Sequence, residues 1–223
     1  MAYFHKSFTE FFRELKNNND RDWFNANKKR YEKDVKEPFH LFVDDLIGRV
    51  NAVDPEIVLE PKDAIFRIYR DVRFSKDKTP YKTQTSALIA RGGRKNMTDP
   101  GLYIQFGADD ARIYSGLYML EKNDLTKVRR HIAAFPDELE ALVKDKKFLK
   151  AFGEVRGDKN KILPAEFKAE VEKQPLITNK SFYYFAKFDP DFILREDLID
   201  VIMDHFKIVQ PLNRFFSEAI HES

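Results

Sequence analysis

The chain has 223 residues, no cysteine, and 39 basic against 37 acidic residues, a net charge of +2. The missing cysteine excludes disulfides, thiolate catalysis, iron–sulfur clusters and cysteine zinc sites. So small a net charge does not imply a nucleic-acid partner, which is judged from local patches.

Hydrophobic residues make up 43% of the chain, with 21 Phe and 9 Tyr, enough for a core filled by Phe in place of Leu. One domain spanning residues 1–223 is expected. The N-terminal residues lack the uninterrupted apolar run of a signal peptide, and no stretch approaches the roughly 20 apolar residues of a membrane span. A soluble cytoplasmic protein is the expectation.

The first fifty residues read as helices. Ser7-Phe-Thr-Glu10 has capping-box spacing and precedes Phe8, Phe11, Phe12 and Leu15 on one helical face. Asn17, Asn18 and Asn19 stop that helix, and Asn19 or Asp20 caps a second one carrying Trp23, Phe24, Tyr31 and Val35. Pro38 is placed to start a third helix, whose stripe is Leu41, Phe42, Leu46 and Ile47.

From Ala64 the period changes to two. Phe66, Ile68, Val72 and Phe74 alternate with Arg67, Tyr69, Asp71 and Arg73, and Arg70 falls on the apolar side. Thr83 to Ala90, ending at Gly92-Gly93, is a second strand; Leu102–Phe106 and Arg112–Met119 form a hairpin around residues 107–110. Together these four segments predict an antiparallel meander.

A helix follows from Asn123 or Asp124 to Phe135, and another opens at Pro136. Residues 144–161 read as a loop or loosely held helix, and 164–172 as a short helix. Ser181–Phe188 is a fifth strand, and an amphipathic helix runs on from Arg195 with a kink or restart expected at Pro211. The order argues for an α+β fold: a mainly antiparallel sheet of about five strands, flanked by N-terminal and C-terminal helices.

The histidines, His5, His40, His131, His205 and His221, are scattered with no pair three or four apart, so no metal site is expected. No nucleophile elbow or P-loop is present, and Gly92-Gly-Arg-Lys95 is too short for one. The densest chemistry lies in Arg67 to Lys82, where six basic residues meet two acidic ones. Arg67, Arg70, Arg73, Lys76, Lys78 and Lys82 suit phosphate or carboxylate oxygens. Asp71 and Asp77 offer acid/base groups or ion ligands, and Tyr81, like Tyr69, a stacking surface or hydroxyl.

This segment resembles the signature Arg-x-Tyr-Arg-Asp-x-Arg-Phe-Ser-Lys-Asp-Lys-x-Pro-Tyr-Lys of a conserved hypothetical family, domain of unknown function 2461. Asn17-Asn-Asn-Asp-Arg-Asp-Trp-Phe24 is similar to its second motif, and Tyr31 and Pro38 sit where its Tyr and Pro are expected. The resemblance spans nearly the whole chain and implies one compact α/β domain. It supplies no reaction, cofactor or catalytic residue.

Three functions remain open on the sequence. The first is binding of a phosphorylated or otherwise anionic ligand by the basic segment, nucleic acid being one candidate. The second is an enzyme acting on a phosphorylated small molecule, with Asp71 or Asp77 as acid/base. The third is a structural or interaction role, in which Arg67, Arg70 and Arg73 close onto acidic partners. A cofactor and an oligomeric state are not indicated.

Overall fold

The computed structural model describes residues 2–221. Helix α1 (Lys6–Asn17) buries Phe8, Phe11, Phe12 and Leu15 as the periodicity predicts. It starts one residue ahead of Ser7, with His5 at the cap and no side-chain capping bond, so the expected capping box does not form. Phe4, buried just before the helix, packs on Phe8 at 4.8 Å between ring centroids, and this apolar contact fixes the entry of the chain.

Asp20 does cap α2 (Arg21–Ala26), accepting from the Trp23 N–H. Beyond it, α3 (Lys28–Tyr31) runs through a π turn at Glu32–Lys36 into α4 (Glu37–Val53), so Pro38 does not open a separate helix. Pro38 cannot donate to a carbonyl one turn back, and its ring crowds that carbonyl. A wider π turn just ahead of it relieves the clash without ending the helix. A short turn, α5 (Pro61–Ala64), follows.

The sheet has four strands in the order β1 (Gln84–Ile89), β2 (Leu102–Gly107), β3 (Ala111–Leu117) and β4 (Phe182–Phe188). The expected strand from Ala64 to Phe74 is not among them. That stretch pairs only at isolated antiparallel bridges, Ile65 with Ala87 and Tyr69 with Tyr81. The apolar period there continues past the pairing: Phe74 is 96% exposed instead of facing a core.

Later elements are α6 (Lys122–Ala134), α7 (Pro136–Val143), α8 (Lys146–Phe152) and α9 (Leu198–His221). Helix α8 lies inside the charged 144–161 stretch, capped by Asp145 and stopped by Gly153 at φ 78°. The expected 164–172 helix is two short 3-10 turns, at Ala165–Phe167 and Ala169–Val171. Pro211 lies within α9, which runs on without a restart. No helix among the described residues is long and apolar enough to cross a membrane.

The chain divides into two compact units. Unit one comprises the chain to Lys95, Tyr103–Ile113 and Lys187–Met203. Its core is a cluster of phenylalanines, with Phe4 meeting Phe42 at 5.3 Å and Phe106 at 5.6 Å in edge-to-face contacts. Each buried ring contributes about 1.5–3 kcal/mol, and such pairs about 0.5–1.5 kcal/mol more.

Unit two comprises Asn96–Leu102, Tyr114–Ala186 and the chain from Asp204. There Phe148 and Phe152 pack edge-on against the fully buried Tyr184, whose hydroxyl donates to Asn213 Oδ1 at 2.5 Å. Gly116, at φ 99°, leaves the room a Cβ would take from the carbonyl of Phe182. Arg129, 3% exposed, donates to the carbonyls of Ile177 (2.9 Å) and Asn179 (3.1 Å).

Candidate functional site

Residues 65–82 form an irregular hairpin in unit one. Its two arms are joined by Lys82 N–H donating to the Ile68 carbonyl (2.8 Å) and Arg70 N–H to the Pro80 carbonyl (2.9 Å). The turn at its far end closes with Ser75 N–H donating to the Val72 carbonyl, which leaves Arg73 and Phe74 at the tip.

The hairpin is anchored to the start of α2. Asn19 Nδ2 donates to the Tyr81 carbonyl (2.9 Å), and the Tyr81 N–H donates back to Asn19 Oδ1 (3.0 Å). The Tyr81 ring stacks on Phe24 at 4.0 Å and 16°. Tyr69 packs on Tyr81 at 5.4 Å and stays 52% exposed. Tyr81 itself is buried, so its ring belongs to the anchor and not to the outer surface. Burial, with the neighbouring Tyr69 as the second cause, raises its hydroxyl pKa.

The charged residues separate into two groups. Arg70, the misfit of the alternation, closes onto Asp77 and Thr79 across the hairpin. The Thr79 N–H and then Arg70 hold the Asp77 carboxyl down at about 2. Arg73 grips Asp71 through two bonds, Nε at 3.0 Å and a terminal nitrogen at 2.6 Å, and this pair holds Asp71 at about 2. Both acids are exposed, so these bonds orient the loop more than they stabilise the fold.

Arg67, Lys76, Lys78 and Lys82 have no ion-pair partner among the described residues, although Lys78 donates to the Val72 carbonyl (2.9 Å). Lys82 is half-buried, with its ammonium over the Phe66 ring at 5.4 Å. Burial first, and then the charge of Arg67, push its pKa down. Among the described residues neither cation has a carboxylate within ion-pair distance, although Arg67 adds to the pull that holds Asp71 down.

A separate groove of about 680 Å³ is lined by Asp109, Lys187, Phe188, Asp189, Asp191, Phe192 and Arg195, none of them from the hairpin. Its cations are already engaged: Lys187 with Asp110 at 3.4 Å and Arg195 with Asp197 at 2.7 Å. No group of acids and histidines suited to a metal ion occurs among the described residues.

At the Gly92-Gly93 turn both residues adopt positive φ, 75° and 57°. Gly93 is buried against the carbonyl of Asp63, while Arg91 pairs with Glu56. That turn is a packing feature of unit one.

Sequence reasoning gathered the basic residues but missed Asn19, Phe24 and Phe66, which anchor and back them. The signal was present, since Asn19 and Phe24 lie in the second of the two quoted motifs, and the structure packs those two motifs together. A comparison with curated proteins returned no match. The family described as conserved hypothetical protein (DUF2461) matches residues 7–215, so with both of its motif segments meeting at this hairpin the chain belongs to that family.

Proposed function

We propose that the protein binds a phosphorylated, anionic ligand on the 65–82 hairpin, with Arg67 and Lys82 as the principal contacts and Lys76 and Lys78 adding charge. The observation that carries this reading is that Lys82, half-buried over the Phe66 ring, and the exposed Arg67, whose charge adds to burial in pushing the Lys82 pKa down, have no ion-pair partner among the described residues. Holding like charges together costs free energy that an anion placed between them would offset. Guanidinium and ammonium groups both match phosphate oxygens. A cytoplasmic setting, where such ligands abound, is part of the proposal.

A second reading draws on a specific observation. Arg70 and Arg73 are closed onto Asp77 and Asp71, so those two pairs serve the shape of the loop and not a ligand. The enzyme alternative gains nothing from the hairpin. Asp71 and Asp77 are held ionised at about 2, far from the range a general acid or base needs at neutral pH.

The test is calorimetric titration with inorganic pyrophosphate. Saturable binding that weakens in Arg67→Ala and in Lys82→Ala, but persists in Arg73→Ala, supports the assignment. Absence of binding, or equal loss in all three variants, overturns it.

A further inference from the structure

The hairpin carries a feature that anion binding does not use. Phe74, at its tip, is 96% exposed, and Tyr69, on the same arm, is 52% exposed. A lone exposed ring is ordinary on a protein surface, so what matters is the company these two keep. Here the two rings are interleaved with cations: Arg67, then Tyr69, then Arg73 and Phe74, then Lys76 and Lys78.

We infer that this hairpin binds single-stranded nucleic acid, with a base stacked on Phe74, a second against Tyr69, and phosphates held by Arg67, Lys76, Lys78 and Lys82. The inference rests on the anion-binding reading and names its ligand class. A polymer that alternates phosphates with flat apolar bases matches an arm that alternates cations with rings. The bases must be unpaired, because stacking on a protein ring needs a face that a duplex keeps covered.

The other polyanion that such a surface suits is an acidic membrane, with Phe74 as an inserted wedge. Tyr69 decides between them. It is not at the tip, and it packs at a tilt of 46° on Tyr81, which is itself stacked on Phe24 and clamped by Asn19. A rigid, half-exposed platform set back from the tip serves stacking and adds nothing to insertion. Arg73, with its guanidinium 5.9 Å from the Phe74 centroid, lies beside that ring without covering it, which leaves the ring open to a base.

The test measures fluorescence anisotropy of a labelled oligothymidylate of about 12 nucleotides, alongside linear polyphosphate and vesicles of phosphatidylcholine and phosphatidylserine. Wild type is expected to bind the oligonucleotide, with a log–log salt slope of about −0.7 per phosphate neutralised. Phe74→Ala, at a fully exposed position and checked for folding by circular dichroism, is expected to weaken that binding roughly tenfold. Polyphosphate binding should be unchanged in the same variant.

If Phe74→Ala leaves oligothymidylate binding untouched while polyphosphate binds, stacking is overturned and the anion reading stands. If neither polyanion binds, both readings fall. Binding to the vesicles that depends on Phe74, without oligonucleotide binding, overturns the inference in favour of a membrane surface.

Discussion

Asn19 and Tyr81, 62 residues apart in sequence, exchange two hydrogen bonds, each side acting once as donor and once as acceptor. The asparagine side chain thereby replaces the neighbouring strand that the end of the hairpin lacks. Only a carboxamide carries a donor and an acceptor in that arrangement. Asn19→Ala is expected to lower stability by about 1–3 kcal/mol, because the Tyr81 backbone loses both partners. Hydrogen exchange at the Tyr81 amide should accelerate more than exchange in α4. Uniform destabilisation with no local effect would refute the clamp.

Arg67 and Arg70 should respond in opposite ways. Arg67→Ala, at an exposed position without an ion pair, is expected to change stability by less than about 0.5 kcal/mol and to weaken pyrophosphate binding roughly tenfold. Arg70→Met removes the bonds to Asp77 and Thr79, so the Arg70 amide, bonded to the Pro80 carbonyl, should exchange faster. Hydrogen–deuterium exchange and calorimetry on the two variants read both effects. An Arg70→Met protein with an unchanged exchange pattern would contradict the assignment.

Acid should loosen the hairpin tip in a defined window. Asp71 and Asp77 have folded-state values near 2, below the ordinary 3.8. Their contribution is therefore complete above the ordinary value and is lost as pH falls through about 2. Amide NMR shifts of Arg73 and Thr79, whose N–H groups donate to these carboxylates, should titrate near 2. Titration at the unshifted value would show the pairs to be open in solution.

The interior of unit two offers an independent check. Arg129→Met removes the donors to the Ile177 and Asn179 carbonyls, at an expected cost of about 1–3 kcal/mol in chemical denaturation. Arg129→Lys should not restore stability, since one ammonium cannot reproduce a planar fork that spans two carbonyls. Full rescue by lysine would mean that charge alone matters there.

Where burial follows one period, the sequence was a good guide. The α1 stripe, the hairpin of β2 and β3, the helix opening at Pro136 and the amphipathic C-terminal helix all appear where periodicity puts them. It misled where the same residue types serve a different end. Phe74 fits an apolar strand face by alternation, yet the pairing stops at Tyr69 and the ring emerges into solvent. Arg70 was legible as a misfit needing a partner, and it has one in Asp77. The Asn19 clamp left no periodic trace, being a long-range side-chain bond, and was signalled only by its place in the second motif. The π turn was hidden because Pro38 reads equally well as a helix start.

That π turn fixes how many residues the N-terminal helices may contain. Glu32–Lys36 holds one residue more per turn than the α-helix around it. A single deletion within 32–36 would let the turn relax to α geometry. Everything ahead of it would then rotate by about 100° relative to Phe39, Phe42 and Leu46. Arg30 would leave Glu14, which it now grips at 2.5 and 2.9 Å, and Tyr31 would leave Phe11 and Phe24. Since Phe24 carries Tyr81, a change in chain length here would be felt at the basic hairpin more than thirty residues later in the sequence.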